Sequence, residues 1–163
     1  MIQRIQSVYL ALVALCMFTL FFSSIATFLI GNDVFIYSVF GLHHQGKQAL
    51  PLAVFPTMLL GLNATVFILT LYCVTAYKNR LNQLKFVRLN TLLILFFLVL
   101  DVVAFSKAPA AIASYLNIED TKQLATNYLF GAVTPIIALV LNMLAFKAIK
   151  KDEELVRSAD RIR

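Results

Sequence analysis

The sequence has few charged residues and little of what builds a small secreted or fibrous protein. Asp, Glu, Lys and Arg make up only 13% of the 163 residues, whereas 61% are hydrophobic. A soluble domain of this size could not bury so much apolar surface, and the chain is too apolar to be a disordered segment. With five Gly, four Pro and two Cys, it is neither a collagen-like fibre nor a disulfide-stabilised domain. This composition predicts a protein embedded in a membrane.

The sequence contains long apolar runs with few charged residues. A transmembrane helix needs about 20 predominantly apolar residues. Four segments meet this requirement: residues 8–30, 52–77, 89–108 and 128–149. The first run is longer than the apolar region of a signal peptide, so we expect it to remain as a span. The sequence therefore predicts an all-α membrane protein, in which residues 1–151 form a bundle of four transmembrane helices and residues 152–163 form a tail.

The distribution of basic residues predicts the orientation of these spans. Most of the 14 Lys and Arg residues lie in the N-terminal segment, in residues 78–88 and after residue 146, whereas Lys47, Lys107 and Lys122 lie on the other side of the predicted bundle. Because cytoplasmic segments carry an excess of Lys and Arg, both termini are predicted to be cytoplasmic. Orientation then explains the positive net charge, and we expect membrane lipid rather than nucleic acid around the chain.

The tail, residues 152–163, has the pattern of an amphipathic helix. Its acidic residues come first and its arginines last, an order that complements a helix dipole. Its apolar residues recur at helical spacing. Two interpretations stay open: a solvated continuation of the fourth span, or a helix that docks on a cytosolic or membrane partner.

Polar residues inside the spans are the next feature. Asp101 is the only acidic residue within them, and Asn90, three helical turns earlier, lies on the same face. A carboxylate in a span is costly and marks function or pairing. Asp101 could be a proton or cation site, a structural carboxyl group bonded to Thr, Asn or Tyr, or a partner of Lys107 or of a basic residue in another protein. A transporter would usually show more such residues or broken helices.

Small and hydroxyl-bearing residues predict which helix faces meet, since they let helices approach closely. Residues that share a face of the fourth span are Gly131, Thr134, Ala138, Asn142 and Ala145. Residues that share a face of the second span are Thr57, Gly61, Ala64, Ile68 and Thr75. We expect these two stripes to face one another, with Asp101 turned inward beside them.

The two external loops contain short elements. Residues 34–40, rich in β-branched and aromatic residues, predict a strand or hairpin, or a segment at the lipid headgroups. His43 and His44 follow; on a strand they would point to opposite faces, with only Asp33 as a nearby acid, so a metal or ligand site there is a minor hypothesis. In residues 109–127, Pro109 predicts the start of a short helix.

Catalytic motifs are missing from the sequence. It contains no G-x-S-x-G, no H-E-x-x-H, no P-loop and no glycine-rich dinucleotide motif. We therefore predict that the protein is not an enzyme and that it has no cofactor, no bound metal and no identifiable small-molecule substrate.

The two ends of the chain carry the most specific motifs. Residues 1–10 read MIQRIQSVYL and residues 152–163 read DEELVRSADRIR. The chain resembles a family of small four-span inner-membrane proteins from Bacteroidota that is described as a domain of unknown function. The resemblance covers the whole chain. It implies the four-helix architecture and the bacterial inner membrane, and it brings no catalytic residues.

The position of these motifs favours docking over transport, since a transporter would carry its signature in the spans. We expect a non-enzymatic accessory or scaffold subunit of an inner-membrane complex, with a Sec-type protein-export channel as a candidate partner. The predicted partner-binding residues are Gln3, Arg4, Gln6, Arg157, Asp160, Arg161 and Arg163. The alternative is a small oligomeric channel or transporter that uses Asp101, with Asn90 and Asn142 as further intramembrane polar residues.

Overall fold

The computed structural model describes residues 3–45, 55–76, 79–117 and 124–160. Four α-helices and four β-strands alternate in groups along these residues. In chain order they are α1 (Gln3–Thr19), β1 (Ser24–Ile30), β2 (Asp33–Ser38), β3 (Gly41–His44), α2 (Phe55–Thr75), α3 (Arg80–Leu116), β4 (Ala125–Tyr128) and α4 (Phe130–Asp160).

The helices pack side by side, and helices that follow one another in the chain are antiparallel. α1 contacts α2 and α4, and α3 contacts the same two helices. Three of the helices in the described residues are long and apolar enough to cross a membrane, over Pro56–Thr75, Arg80–Leu116 and Phe130–Val156; α1 is a shorter apolar helix. Large apolar side chains remain exposed on their outer faces, as in helices that face lipid.

The predicted all-α fold is wrong, because four strands form an antiparallel sheet in the order β3-β2-β1-β4. β1, β2 and β3 lie between the end of α1 and the start of α2, and β4 lies between α3 and α4. The sheet therefore covers one end of the helices. The strand predicted within residues 34–40 is confirmed by β2. Gly31, with φ of +57°, turns the chain between β1 and β2, where Ile30 pairs with Asp33.

The predicted first span, residues 8–30, is also wrong, because α1 ends at Thr19 and residues 24–30 are β1. The Thr19 hydroxyl donates to the Cys16 carbonyl oxygen at 2.8 Å, and the Ser23 amide donates to the Thr19 carbonyl oxygen at 2.9 Å. Hydropathy alone cannot reveal this break, since β1 is as apolar as a span. β1 is apolar because it pairs with β2 on one side and β4 on the other, over the core.

α3 is much longer than the predicted span of residues 89–108. It begins after Asn79, whose side chain accepts a hydrogen bond from the Asn82 amide, and ends at Leu116 before a left-handed Asn117. Its 37 residues extend over about 55 Å at 1.5 Å per residue, against a hydrocarbon core of about 30 Å. Pro109 lies inside α3, so the separate short helix predicted to begin there is the end of α3, which reaches the sheet.

The second and fourth predicted spans correspond to α2 and α4, with different ends. Within residues 52–77, α2 occupies Phe55–Thr75, and residues 52–54 and 77 lie outside the described ones. Tyr128 belongs to β4, and α4 continues past residue 149 to Asp160 without a break. The boundary predicted at residue 151 therefore falls inside one helix, and most of the tail is its last turns.

One of the two predicted stripes of small residues is buried and the other is not. All five stripe residues of α4 are buried, but the prediction that the two stripes face one another is wrong. On α2, four of the five stripe residues are exposed: Thr57, Gly61, Ile68 and Thr75. The buried face of α2 is instead formed by Leu59, Asn63, Val66, Thr70 and Cys73. Side chains that bond to neighbouring helices, rather than small size alone, determine which face of α2 is buried.

Gly131 at the start of α4 is required by a close contact with β1. A Cβ atom at this position would lie 2.5 Å from the Ser24 carbonyl oxygen and 3.1 Å from the Ile25 Cα atom. Any side chain would push α4 away from the strand. Gly131 thus lets the last span start directly against the sheet.

Candidate functional site

Asp101 is buried where α3 passes beneath the sheet. It is 8% exposed, and Asn90, Ile94 and Phe97 are buried on the same face of the helix. The fully buried Tyr37 of β2 donates its hydroxyl proton to Asp101 Oδ1 at 2.9 Å, and its oxygen lies 3.4 Å from the Asp101 carbonyl oxygen. Of the alternatives that the sequence left open for Asp101, the structure shows the hydrogen bond to a tyrosine.

The environment of Tyr37 keeps its hydroxyl group protonated. Burial first, and then the charge and hydrogen bond of Asp101, raise the pKa of the Tyr37 phenol well above its usual range. A protonated phenol is the donor that a carboxyl oxygen requires. The contact therefore joins the sheet to the longest helix through one satisfied pair of buried polar groups.

An aromatic cluster around Phe105 extends this contact. The Phe105 ring lies one turn beyond Asp101 on α3, with centroids 5.4 Å from Phe28, 6.0 Å from Tyr37 and 5.5 Å from Tyr128. These three residues belong to β1, β2 and β4. α3 thus holds three strands of the sheet through one side chain, in the offset and edge geometries that aromatic rings prefer.

A second polar cluster joins three helices. The Asn90 side-chain amide donates to Thr70 Oγ1 at 2.9 Å and to Asn142 Oδ1 at 3.2 Å. The Asn142 amide donates to the Val87 carbonyl oxygen at 3.1 Å and to Thr91 Oγ1 at 2.8 Å. The cluster therefore links α2, α3 and α4. Asn90 and Asn142, which the sequence singled out separately, contact each other, whereas Asp101 is bonded elsewhere.

Further amide side chains bond across helices to main-chain oxygens. Asn63 Nδ2 donates to the Met17 carbonyl oxygen at 3.2 Å, and Gln83 Nε2 donates to the Cys73 carbonyl oxygen at 2.9 Å. Neither residue is among those that the sequence predicts to be functional, and the same holds for Tyr37 and Thr70. A signal was present for the helical ones, since an amide at regular spacing inside an apolar run predicts a contact between helices.

Of the predicted partner-binding residues, Gln6 is the one whose side chain the structure describes. It is buried, and its Nε2 atom donates to the Ala148 carbonyl oxygen at 3.2 Å. Gln6 therefore joins α1 to α4 within the chain. The side chains of Gln3, Arg4, Arg157 and Asp160, and all of Arg161 and Arg163, lie outside the described residues.

The histidine pair is separated, as its position on a strand predicts. His44 is buried, its Nε2 atom lies 3.0 Å from Asp33 Oδ1, and its ring lies 4.7 Å from the Phe35 ring and 6.0 Å from the Tyr115 ring. His43 is more exposed. In the described part of the chain, no three His, Cys, Asp or Glu residues form a group that could hold a metal ion.

No curated protein and no solved structure matches this chain. The model of one family does match it, from the second residue to near the end, which confirms the resemblance to a family of unknown function. With a match over residues 2–162, the chain belongs to the family described as "Domain of unknown function (DUF4293)".

Proposed function

We propose that this chain is a non-enzymatic accessory or scaffold subunit of a protein complex in a bacterial inner membrane, and that it docks through its cytoplasmic end. The terminal motifs shared with Bacteroidota proteins support the inner membrane. Arg88, Lys147 and Lys150 lie toward the end of the helices that is opposite the sheet. By the positive-inside rule this end faces the cytoplasm, and the sheet faces the periplasm.

The observation that carries this proposal is the length of α4. α4 has 31 residues and is about 46 Å long at 1.5 Å per residue. This exceeds a hydrocarbon core of about 30 Å. The last turns of α4 therefore project from the bilayer as a helix rather than as a loose tail, which presents a docking surface of fixed direction.

An ion pair holds the projecting helix in place. Arg80 Nη1, at the start of α3, lies 3.1 Å from Asp152 Oδ2, and both side chains are largely covered. Beyond this pair, Leu155 and Val156 are 49% and 41% exposed. An apolar pair on a braced helix is suited to a hydrophobic groove on another protein. Because the chain already fixes the helix, little ordering entropy opposes docking.

The partner that we propose is another inner-membrane protein complex, with a Sec-type protein-export channel as the candidate. The inferred location is the reason for choosing this candidate. The contacts with it would be made by the exposed apolar pair and by the arginines of the tail. Arg suits such an interface because its planar guanidinium group can bind a carboxylate through two hydrogen bonds.

The geometry gives less support to a channel or transporter that uses Asp101. A carboxyl group that passes protons or cations needs contact with water, whereas Asp101 is 8% exposed and accepts a hydrogen bond from Tyr37. The amide groups of Asn90 and Asn142 bond to each other. These polar groups are occupied in holding helices and sheet together.

The test is co-purification from native membranes of the full chain and of a chain that ends at Glu154. This truncation keeps the Arg80–Asp152 ion pair and removes the apolar pair and the arginines. A tag inserted at Gly46, which follows β3 in the sequence, leaves both ends of the chain unmodified. We expect a stoichiometric inner-membrane partner with the full chain and its loss with the truncated one.

Charge reversal provides the matched comparison. R157E/R161E changes the tail, and K85E/K107E makes the same change in net charge on α3. We expect the first to release the partner and the second to retain it. If both variants retain the partner, or if the truncated chain does, docking through the tail is refuted. An isolated protein whose flux in vesicles is abolished by D101N would support the transporter instead.

A further inference from the structure

A groove between α3 and α4 is lined by both basic and apolar side chains. Its volume is about 600 Å³. The residues that line it are Arg88, Thr91, Leu92, Met143, Phe146, Lys147 and Lys150. The three basic residues are exposed on the helix surface, where their charges are available to a ligand.

The register of the two helices places both lysines of the groove nearer the tail end than Arg88, Met143 and Leu92. Arg80 pairs with Asp152 and Asn90 pairs with Asn142, ten residues further into the membrane on each helix. α3 therefore runs away from the tail end while α4 runs toward it. By this register Lys150 and Lys147 lie nearest the tail end, Arg88 lies level with Met143, and Leu92 lies deepest. The long side chain of Arg88 lets its guanidinium group reach toward the mouth of the groove.

We propose that this groove binds one anionic phospholipid of the leaflet on the tail side. The phosphate group lies between the basic side chains, and an acyl chain lies along Leu92, Met143 and Phe146. Basic pockets between transmembrane helices suit anionic headgroups, because charge and hydrogen bonds act together on the phosphate oxygens. The proposal does not depend on a protein partner, and needs only that the helices lie in a bilayer.

The basic residues carry the recognition, because the other polar group in the groove is already bonded. The Thr91 hydroxyl donates to the Val87 carbonyl oxygen at 3.0 Å and accepts from Asn142 Nδ2 at 2.8 Å. Lys150 Nζ lies 3.8 Å from Glu154 Oε1, which offsets part of its charge. Arg88 and Lys147 are therefore expected to contribute most to phosphate binding.

A second groove, between α2 and α3, offers an internal comparison. Its volume is about 500 Å³, and the residues that line it are Thr65, Ile68, Leu69, Tyr72, Phe86, Leu89 and Leu93. None of these residues is charged. We expect this groove to accept acyl chains of any phospholipid, so that discrimination between headgroups comes from the groove between α3 and α4.

The test is native mass spectrometry of the full-length protein in a mild nonionic detergent, titrated with phosphatidylglycerol or with phosphatidylcholine of the same acyl chains. We expect one phosphatidylglycerol to bind about 100-fold more tightly than phosphatidylcholine. R88Q/K147Q/K150Q should lose about 100-fold in affinity for phosphatidylglycerol, since each basic side chain near an anionic lipid contributes about 1 kcal/mol. Its affinity for phosphatidylcholine should not change.

The matched control is K85Q/K107Q/K151Q, which removes the same number of charges from residues that do not line the groove and should bind phosphatidylglycerol like the parent. R88Q alone, with a smaller loss, keeps the test valid if the triple variant does not fold. Equal binding of the two lipids, or equal losses in both triple variants, would overturn the proposal. Displacement of the lipid by inorganic phosphate alone would also overturn it, by showing a simple anion site.

Discussion

Replacing Tyr37 with phenylalanine removes one hydroxyl group from the junction between the sheet and α3. The ring is kept, and with it the edge-to-face contact with Phe105, whose centroid lies 6.0 Å away. What is lost is the donor to Asp101 Oδ1, at 2.9 Å. The Asp101 carboxyl group then loses this donor while the residue remains only 8% exposed.

The magnitude follows from the cost of an unpaired buried acceptor. A hydrogen bond to a buried polar or charged group contributes about 1–3 kcal/mol when only one partner is removed. We therefore expect Y37F to lower the free energy of unfolding by about 1–3 kcal/mol. Y37F/D101L removes both polar groups and should recover most of this loss, because replacing both partners with apolar groups is nearly neutral.

The assay is a reversible unfolding titration in detergent micelles for the parent, both single variants and the double variant. We expect a coupling energy above about 0.5 kcal/mol between the two positions. Y115F, which removes an exposed hydroxyl group, should have no effect and serves as the control. Strictly additive losses at Tyr37 and Asp101, or a Y37F variant as stable as Y115F, would refute the reasoning.

Three further predictions follow from the same contacts. Because the pKa of Tyr37 is raised, its phenol should stay protonated in the folded protein above pH 10, near which free tyrosine ionises. Its contribution to stability is therefore complete below about pH 10 and declines above it. The tyrosinate absorbance of the parent and of Y37F should coincide until the protein unfolds, and an earlier divergence would contradict this. Asn142→Leu, which breaks a cluster that links three helices, should cost about 1–2 kcal/mol of unfolding free energy, and a variant as stable as the parent would count against the cluster. Gly131→Ala, whose Cβ would lie 2.5 Å from the backbone of β1, should lower the free energy of unfolding by about 1–3 kcal/mol. Gly61→Ala, whose Cβ would meet nothing within 4 Å, should leave the free energy of unfolding unchanged. Equal effects of the two variants would refute the close contact.

The apolar helices and the strand β2 could be predicted from the sequence, but the other strands of the sheet could not. Residues 24–30 are as apolar as a span and directly follow α1, so a hydropathy window of about 20 residues joins the two. The strand is apolar because of its position between two others, and this depends on the pairing of Thr27 with Asn127 in β4, far along the chain. In the same way, Lys107 and Pro109 predicted the end of the third span, although α3 continues past them and its last turns contact the sheet.

Part of the candidate site could likewise be predicted from the sequence, and part could not. The burial of Asp101 and Asn90 on one face of α3 could be predicted from helical spacing. The partner of Asp101 could not, because Tyr37 is 64 residues away and lies in a strand whose register was unknown. The predicted face of α2 was wrong because small residues were weighted above Asn63 and Thr70, whose side chains bond at its buried face.

The docking of the projecting end of α4 is tested most directly by photo-crosslinking in native membranes. A photoreactive residue at Leu155 reports on the exposed tail, and one at Phe22, which is 79% exposed beside the sheet, reports on the opposite end. Our account predicts one protein adduct of fixed mass from position 155 and the loss of this adduct in R157E/R161E. Position 22 should not give the same adduct. Adducts at position 155 with lipid alone, or with a second copy of this chain alone, would contradict it.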